Sequence, residues 1–429
     1  MRRSTFTFAE SVQGVQGVVA VLLLMASHGA LARSLDASTA GGCSLNVDGG
    51  FTGRSTALLV NNRSRPPSWL LPVRNNRSKV LHLDRGQSFV ASCPGSRNQV
   101  IGITQQHGVL ECDAGALRAV ASPIPKAINS RDLTCKKPAQ AELRPGSKCG
   151  EGGRWFNVGF NVSGVGFVPL FGVCHNVDLG ATLYAAHKLH GGAIDAAQDE
   201  SKRPAFHQGL SDLYAGYSPD DAYKKSRQQA TLMQLLGTRR AKEVLDVSPL
   251  VRGHLSPDGD FLWAPHQWAT YFYANVAPQF SSINGGHWKV VENLARKVAS
   301  QMQADLMVYT GTHGVLTLTN GDGKKVAIYL EPLKRKIPVP EHIWKVIYDP
   351  ATKSGIALAV ANNPTLTGRD RSASHLCEDR CAEHGWPTDL LGEVRKGLVV
   401  CCTVQQLKQA GVRLPASIRA EKVLRGPRR

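Results

Sequence analysis

The pattern of apolar and polar positions changes three times along the chain. Its first apolar run is continuous, Val18-Val19-Ala20-Val21-Leu22-Leu23-Leu24-Met25, preceded by Arg2 and Arg3 and followed by Ala30-Leu31-Ala32. That run is too short to span a bilayer, and its basic start and small-residue end predict a secretory signal over 1–32. Residues 33–150 then carry only short β-type runs, such as Val80-Leu81-His82-Leu83 and Ser88-Phe89-Val90-Ala91, between Gly-, Ser-, Asn- and Pro-containing turns. This predicts a small β-rich module. The stretch Pro145-Gly146-Ser147-Lys148-Cys149-Gly150-Glu151-Gly152-Gly153 reads as a linker, which puts a second domain at 151–429. From Arg154 onward the pattern is mixed. Residues 167–174 read as a strand, 181–189 as a strand or short helix, and 222–245 as one long basic helix. Asn320-Gly321-Asp322-Gly323 between two apolar runs predicts a β-hairpin, and 342–348 and 355–360 read as further sheet strands. Strands and helices in this order predict an α+β domain.

Composition narrows the picture. Hydrophobic residues at 42% and charged residues at 20% describe a folded globular chain and exclude a disordered one. The formal charge of +18 implies a polyanionic partner: nucleic acid, a heparin-like glycan or an anionic membrane. Ten cysteines divide into six over 43–174 and four over 377–402. Both sets are even, so each can close its own disulfides, in keeping with an exported protein. Sequons at Asn62, Asn76 and Asn161 are compatible with glycosylation on that route.

One constellation carries chemistry. Val251-Arg252-Gly253-His254 is followed by Asn275-Val276-Ala277-Pro278-Gln279 and then Asn284-Gly285-Gly286-His287-Trp288, with Glu292 and Arg296 continuing a four-residue spacing. On a regular helix, steps of four drift by only about 40°, so Asn284, Trp288, Glu292 and Arg296 would share one face. A histidine, a neutral oxygen ligand, a carboxylate and arginines together suit metal-assisted phosphodiester hydrolysis. The ordered series resembles the DNA/RNA non-specific endonucleases, the ββα-metal nucleases related to endonuclease G, over roughly residues 165–365. The family motif runs Asp-Arg-Gly-His, Asn-x-x-Pro-Gln, Asn-x-Gly-x-Trp-x-x-x-Glu, and only its leading Asp is missing, replaced by Val251.

The resemblance implies a central antiparallel sheet flanked by helices, with a ββα-metal motif. It implies that His254 activates the attacking water, that Asn284 is the direct protein ligand of a Mg²⁺ (Mn²⁺ being a possible substitute), and that Glu292 accepts hydrogen bonds from waters on that ion. Arg252 would face the scissile phosphate and Asn275 would orient the surrounding loop. Relatives carry a second cation upstream in an aromatic-Arg dipeptide. Tyr184-Ala185-Ala186-His187-Lys188 occupies the comparable position, which makes Lys188 the candidate. Arg296, Lys224, Lys225, Arg239 and Arg240 are candidate contacts to the nucleic-acid backbone.

Plainer readings stand beside these. Asn284 can be a helix cap, Glu292 can pair with Arg296 at i,i+4, and basic runs can be solvated faces. His375, Cys377, Cys381 and His384 could be drawn as a zinc site, but in an exported chain two disulfides are the better reading. His187 and His190, one helical turn apart, have no third ligand at a usual spacing. The sequence therefore reads as a secreted, metal-dependent endonuclease acting on DNA, and on RNA as a possible second substrate. A non-catalytic cationic protein binding nucleic acid or glycan is the alternative. A mitochondrial nuclease is disfavoured by the cysteines and the leader.

Overall fold

Two apolar runs, His342–Asp349 and Ser354–Ala361, are buried at nearly every position, which a strand tolerates only when both faces of its sheet are covered. They lie in a nine-stranded sheet. The structure is a computed structural model and describes residues 41–51, 53–120, 127–370, 374–388 and 393–428, so the expected leader over 1–32 lies outside the described residues. The strands are β1 (Glu142–Cys149), β2 (Gly153–Val162), β3 (Gly166–Asn176) and β4 (Ala181–His190), followed by a separate pair, β5 (Leu250–His254) and β6 (Val276–Phe280). Then come β7 (Asp305–His313), β8 (His342–Asp349), β9 (Ser354–Ala361) and β10 (Val399–Cys402). The order across the sheet is β1-β2-β3-β4-β7-β8-β9-β10, antiparallel throughout, with Lys422–Val423 added in parallel to β9. The helices flanking it are α1 (Lys225–Leu236), α2 (Thr238–Val247) and α3 (Lys289–Met302).

Strand alternation sorts the residues of β8 and β9 between two cores. Ile343, Ile347, Ile356 and Leu358 join Val291, Ala295 and Val298 of α3, while Trp344, Val346, Tyr348, Ala357 and Ala359 join Val404 and Leu407 of a short C-terminal helix. Each buried aliphatic side chain contributes roughly 1.5–3 kcal/mol relative to exposure. This is the expected α+β class.

Two local expectations need correction, and one open alternative is resolved. The expected linker is not a linker: its residues form the β1–β2 hairpin, with a bulge between Pro145 and Lys148, and Cys149–Cys174 ties β1 to β3. β1 is an edge strand, where a proline without an N–H and a bulge cost little. The ambiguous 181–189 segment is strand β4. The single long helix over 222–245 is instead Pro219–Ala222, α1 and α2. Gly237, at φ 80° and ψ 155°, turns the chain sharply where the polar pattern gives no break. The expected hairpin does form, with Thr317 opposite Ala327.

The N-terminal region contains a six-stranded and a three-stranded antiparallel sheet, stapled by Cys43–Cys112 and Cys93–Cys135. Near the C-terminus Cys377 pairs with Cys402 and Cys381 with Cys401. No bridge joins the first six cysteines to the last four, and no cysteine is free. Asp379, Cys381 and Cys401 converge closely enough to hold an ion, but both sulfurs are in a disulfide, so the disulfide reading replaces the zinc one. The N-terminal region buries its apolar side chains in the same cluster as α3 and the large sheet. Trp69 packs on Phe160 and His266, Phe51 packs on Trp263, and the Trp263 indole donates to the Leu70 carbonyl at 2.8 Å.

Candidate active site

β5 and β6 form a short antiparallel pair in which Gly253 lies opposite Ala277 and His254 opposite Val276. A Cβ at Gly253 would sit 2.4 Å from Gln279 Oε1 and 2.9 Å from Gln279 Cβ, so only glycine lets the buried Gln279 side chain lie there. The loop joining the strands is set by Asn275, which is fully buried. Its Oδ1 accepts the Ser256 N–H at 3.0 Å, and its Nδ2 donates to the Ser256 and Thr270 carbonyls at 2.9 Å each.

His254, the last residue of β5, lies between two rings, Tyr271 at 4.8 Å and Phe206 at 5.3 Å. The His254 Nε2 atom is enclosed and has no hydrogen-bond partner. Burial lowers its pKa to about 4, against the opposing charge of Asp258. The imidazole is therefore neutral near pH 7 and able to accept a proton.

Arg252 is held by an aromatic and acidic cradle. Its Nε donates to the Tyr273 hydroxyl at 3.1 Å and its Nη2 to Asp220 Oδ1 at 3.2 Å, while Tyr273 donates to the same Asp220 oxygen at 2.6 Å. The guanidinium lies 5.2 to 5.5 Å from the rings of Tyr223, Phe206 and Tyr273. Asp220 thus places a carboxylate against Arg252, where Val251 offers none. Asp258 accepts from the Tyr271 hydroxyl at 2.8 Å. Asp260 is buried, accepting from His187 Nε2 at 2.8 Å and Arg296 Nη1 at 2.6 Å. Burial would raise its carboxyl, but the His187 hydrogen bond and the Arg296 charge prevail and hold it near about 2.

The helix face inferred from four-residue spacing is interrupted. Ser281–Ile283 is a short turn, Asn284–Trp288 is a π-type turn, and Gly286 departs from helical values at φ −92°, ψ −125°. The regular helix begins only at Lys289. A Cβ at Gly286 would lie 2.7 Å from the Lys396 carbonyl oxygen, and His287 Nδ1 bonds the Gly397 carbonyl at 2.7 Å. A C-terminal loop therefore sets the kink that orients Asn284. Trp288 is fully buried. The plain Glu292–Arg296 pair is not formed, because Arg296 turns to Asp260 and to Asn293 Oδ1 at 2.5 Å. Glu292 is partly exposed and makes no hydrogen bond or ion pair among the described residues. Burial pushes its carboxyl up to about 7 against the charges of Lys345 and Arg296. Lys345 is fully buried on β8, donates to Thr310 Oγ1 at 2.5 Å and sits 5.5 Å over the Trp288 ring.

Arg252, His254 and Asn284 line one cleft of about 610 Å³, together with Arg203, Phe206 and Asp220. Lys188 is not among them. It is exposed, pairs with Asp305 at 3.6 Å, and alternates with His187, so it points away from α3. Strand geometry likewise sends His187 to Asp260 and His190 to Asp305, and they form no metal pair. Lys225 lines a groove of about 280 Å³ beside Arg252, and Arg239 is exposed. Lys224 pairs with Asp221 at 2.5 Å and Arg240 with Glu243 at 3.0 Å. Arg203, Phe206 and Tyr271 went unread in the sequence because nothing in their spacing links them to His254. The amide of Asn284 has no side-chain partner among the described residues. That neutral oxygen, on a residue lining the cleft, is the kind of donor a hard divalent cation takes.

Comparisons with known proteins identify the family. Residues 151–407 match the profile of the family described as DNA/RNA non-specific endonuclease. A salivary endonuclease of Lutzomyia longipalpis is 28% identical over 352 residues, covering 80% of this chain and 78% of its own. Salivary protein Tsal2A of Glossina morsitans morsitans is 24% identical over 390 residues, 90% of this chain and 95% of its own. The mitochondrial nuclease EXOG of Homo sapiens is 35% identical over 99 residues, 22% of this chain and 26% of its own.

Proposed function

Because the chain belongs to the DNA/RNA non-specific endonuclease family, we propose that it is a secreted, Mg²⁺-dependent endonuclease that cleaves DNA, with RNA as a second substrate, using His254 as general base. The observation that carries this reading is the unpartnered, neutral Nε2 of His254 in the cleft that Arg252 and Asn284 also line. His254 takes the proton from the water that attacks phosphorus as the bond to the leaving sugar oxygen breaks. Arg252, fixed by Tyr273 and Asp220, binds the phosphate oxygens. Asn284 would hold the cation, with Glu292 accepting hydrogen bonds from its hydration shell. When bound, the cation would neutralise charge developing on the phosphate, and Mn²⁺ offers the same oxygen-seeking chemistry. Contacts of this kind read the backbone and carry little base information, which favours broad sequence tolerance. Five disulfides and the salivary relatives support export.

The test is digestion of DNA and RNA by the parent protein and by His254→Ala, each with Mg²⁺, with EDTA, and after Mg²⁺ is restored. Parent cleavage should vanish with EDTA and return with Mg²⁺. His254→Ala should lose a factor of about 10² to 10⁴ in turnover, the usual contribution of a general base, while nucleic-acid binding stays close to parental. A folded His254→Ala protein with parental activity would remove His254 as the base, and a parent that cleaves neither nucleic acid with Mg²⁺ would favour the non-catalytic cationic binding protein.

A further inference from the structure

Residues 199–206 have no regular secondary structure, yet they are gripped at one end by the N-terminal region and seated in the cleft at the other. The Glu200 carboxylate accepts the backbone N–H of Arg54 at 3.0 Å and that of Lys202 at 2.8 Å. Asp199 pairs with Lys79 at 2.9 Å. The Trp268 indole donates to the Lys202 carbonyl at 3.0 Å, and the Arg54 guanidinium lies 5.4 Å over the Trp268 ring. Arg54 and Lys79 belong to the N-terminal region. A few residues on, Phe206 packs 5.3 Å from His254 and 4.9 Å from Tyr271, with the Arg252 guanidinium 5.5 Å from its ring. Between these two anchors Arg203 lines the cleft, largely exposed, and among the described residues its one ion pair is with Asp258 at 3.9 Å.

Resting on the nuclease reading above, we propose that Arg203 is the second phosphate-binding cation of the cleft, and that the N-terminal region serves to hold the segment that carries it. Lys188, where the sequence places that cation, faces away. An ion pair as long and exposed as Arg203–Asp258 is weak, so a phosphate oxyanion can take the guanidinium over, and its planar fork matches two phosphate oxygens at once. The N-terminal region then contributes to substrate affinity without touching the reacting atoms.

The experiment compares full-length parent, Arg203→Ala, Arg203→Lys and Glu200→Ala at saturating Mg²⁺. Initial rates on duplex DNA are measured across a NaCl series, and the Tm of each variant is checked against the parent. One phosphate contact contributes about 0.9 to the slope of log affinity against log salt on duplex DNA. Arg203→Ala should therefore flatten that slope, read from KM, by about one. It should also raise KM by about tenfold, as expected for one lost charge-assisted hydrogen-bonded contact, with kcat little changed. Arg203→Lys should keep the slope and recover part of the KM. Glu200→Ala discriminates by sign. Removing an acid beside a polyanion site would, by charge alone, lower KM, whereas loosening the segment raises it at near-parental Tm. Parental KM and slope in Arg203→Ala, or a lowered KM in Glu200→Ala, would overturn the proposal. Failure of the nuclease reading has a separate signature, a parent protein that leaves DNA intact with Mg²⁺.

Discussion

At the scale of single residues, the site is marked by groups the fold leaves without partners. Among the described residues His254 Nε2, the Asn284 amide and the Glu292 carboxylate are unpaired, as are Gln279 Nε2 and Trp288 Nε1 beside them, while two fully buried neighbours are saturated. Asn275 makes three hydrogen bonds and Asp260 is shared by His187 and Arg296. Leaving polar groups unpaired at burial costs stability, and such costs concentrate where chemistry is done. The two titrating groups differ in a measurable way: burial lowers His254 to about 4 and raises Glu292 to about 7. The acid limb of kcat/KM is therefore expected to lie nearer 7 than 4 at low divalent metal, because Glu292 must ionise after His254 is already neutral. Raising the metal concentration favours the ionised carboxylate and should move that limb to lower pH. A limb near 4 that ignores metal would show that His254 alone sets the profile.

At the scale of elements, the informative feature is the kink between Asn284 and α3. Its geometry depends on Gly286, whose close approach to the Lys396 carbonyl leaves no room for a side chain. Gly286→Ala should cost about 1–3 kcal/mol, the usual penalty of overpacking, readable as a lowered Tm. It should also weaken apparent Mg²⁺ affinity, because Asn284 is displaced. A variant with a parental melt and a parental metal dependence would remove the kink from the account of the site. The same reasoning explains why a perfect four-residue spacing misled: periodicity assumes an uninterrupted helix, and a glycine held by a remote loop breaks that assumption.

At the scale of the whole molecule, burial of neutral histidines ties stability to pH. Burial lowers His175 to about 4, His254 to about 4 and His266 to about 3. Between those values and 6.5 the unfolded chain binds more protons than the folded one, so stability rises with pH through that window. Glu292, shifted upward, acts in the opposite direction, but it is one group against three. Tm measured at intervals from pH 7 down to 4 should fall steadily, and a flat profile would mean that these imidazoles are not neutral in the folded protein. The positive charge acts on the same scale, though it is unevenly available, since Lys224 and Arg240 are paired with acids while Lys225 and Arg239 are exposed with no ion pair among the described residues.

How much could be read in advance follows from whether a signal is local. The Arg252-His254-Asn284-Glu292 series was legible because each residue's type and its order in the chain are local facts, and the strands at 342–349 and 354–361 were legible because complete burial leaves an uninterrupted apolar run. The even division of cysteines likewise anticipated pairing within each set. Tertiary structure alone decided the rest. Strand alternation turned Lys188 outward and His187 inward, and Asp220 reached Arg252 across 32 residues of chain. The segment that contacts Arg54 and Lys79 also sets Phe206 against His254. Those outcomes depend on which surfaces meet, a property of packing between distant segments that no window of sequence contains.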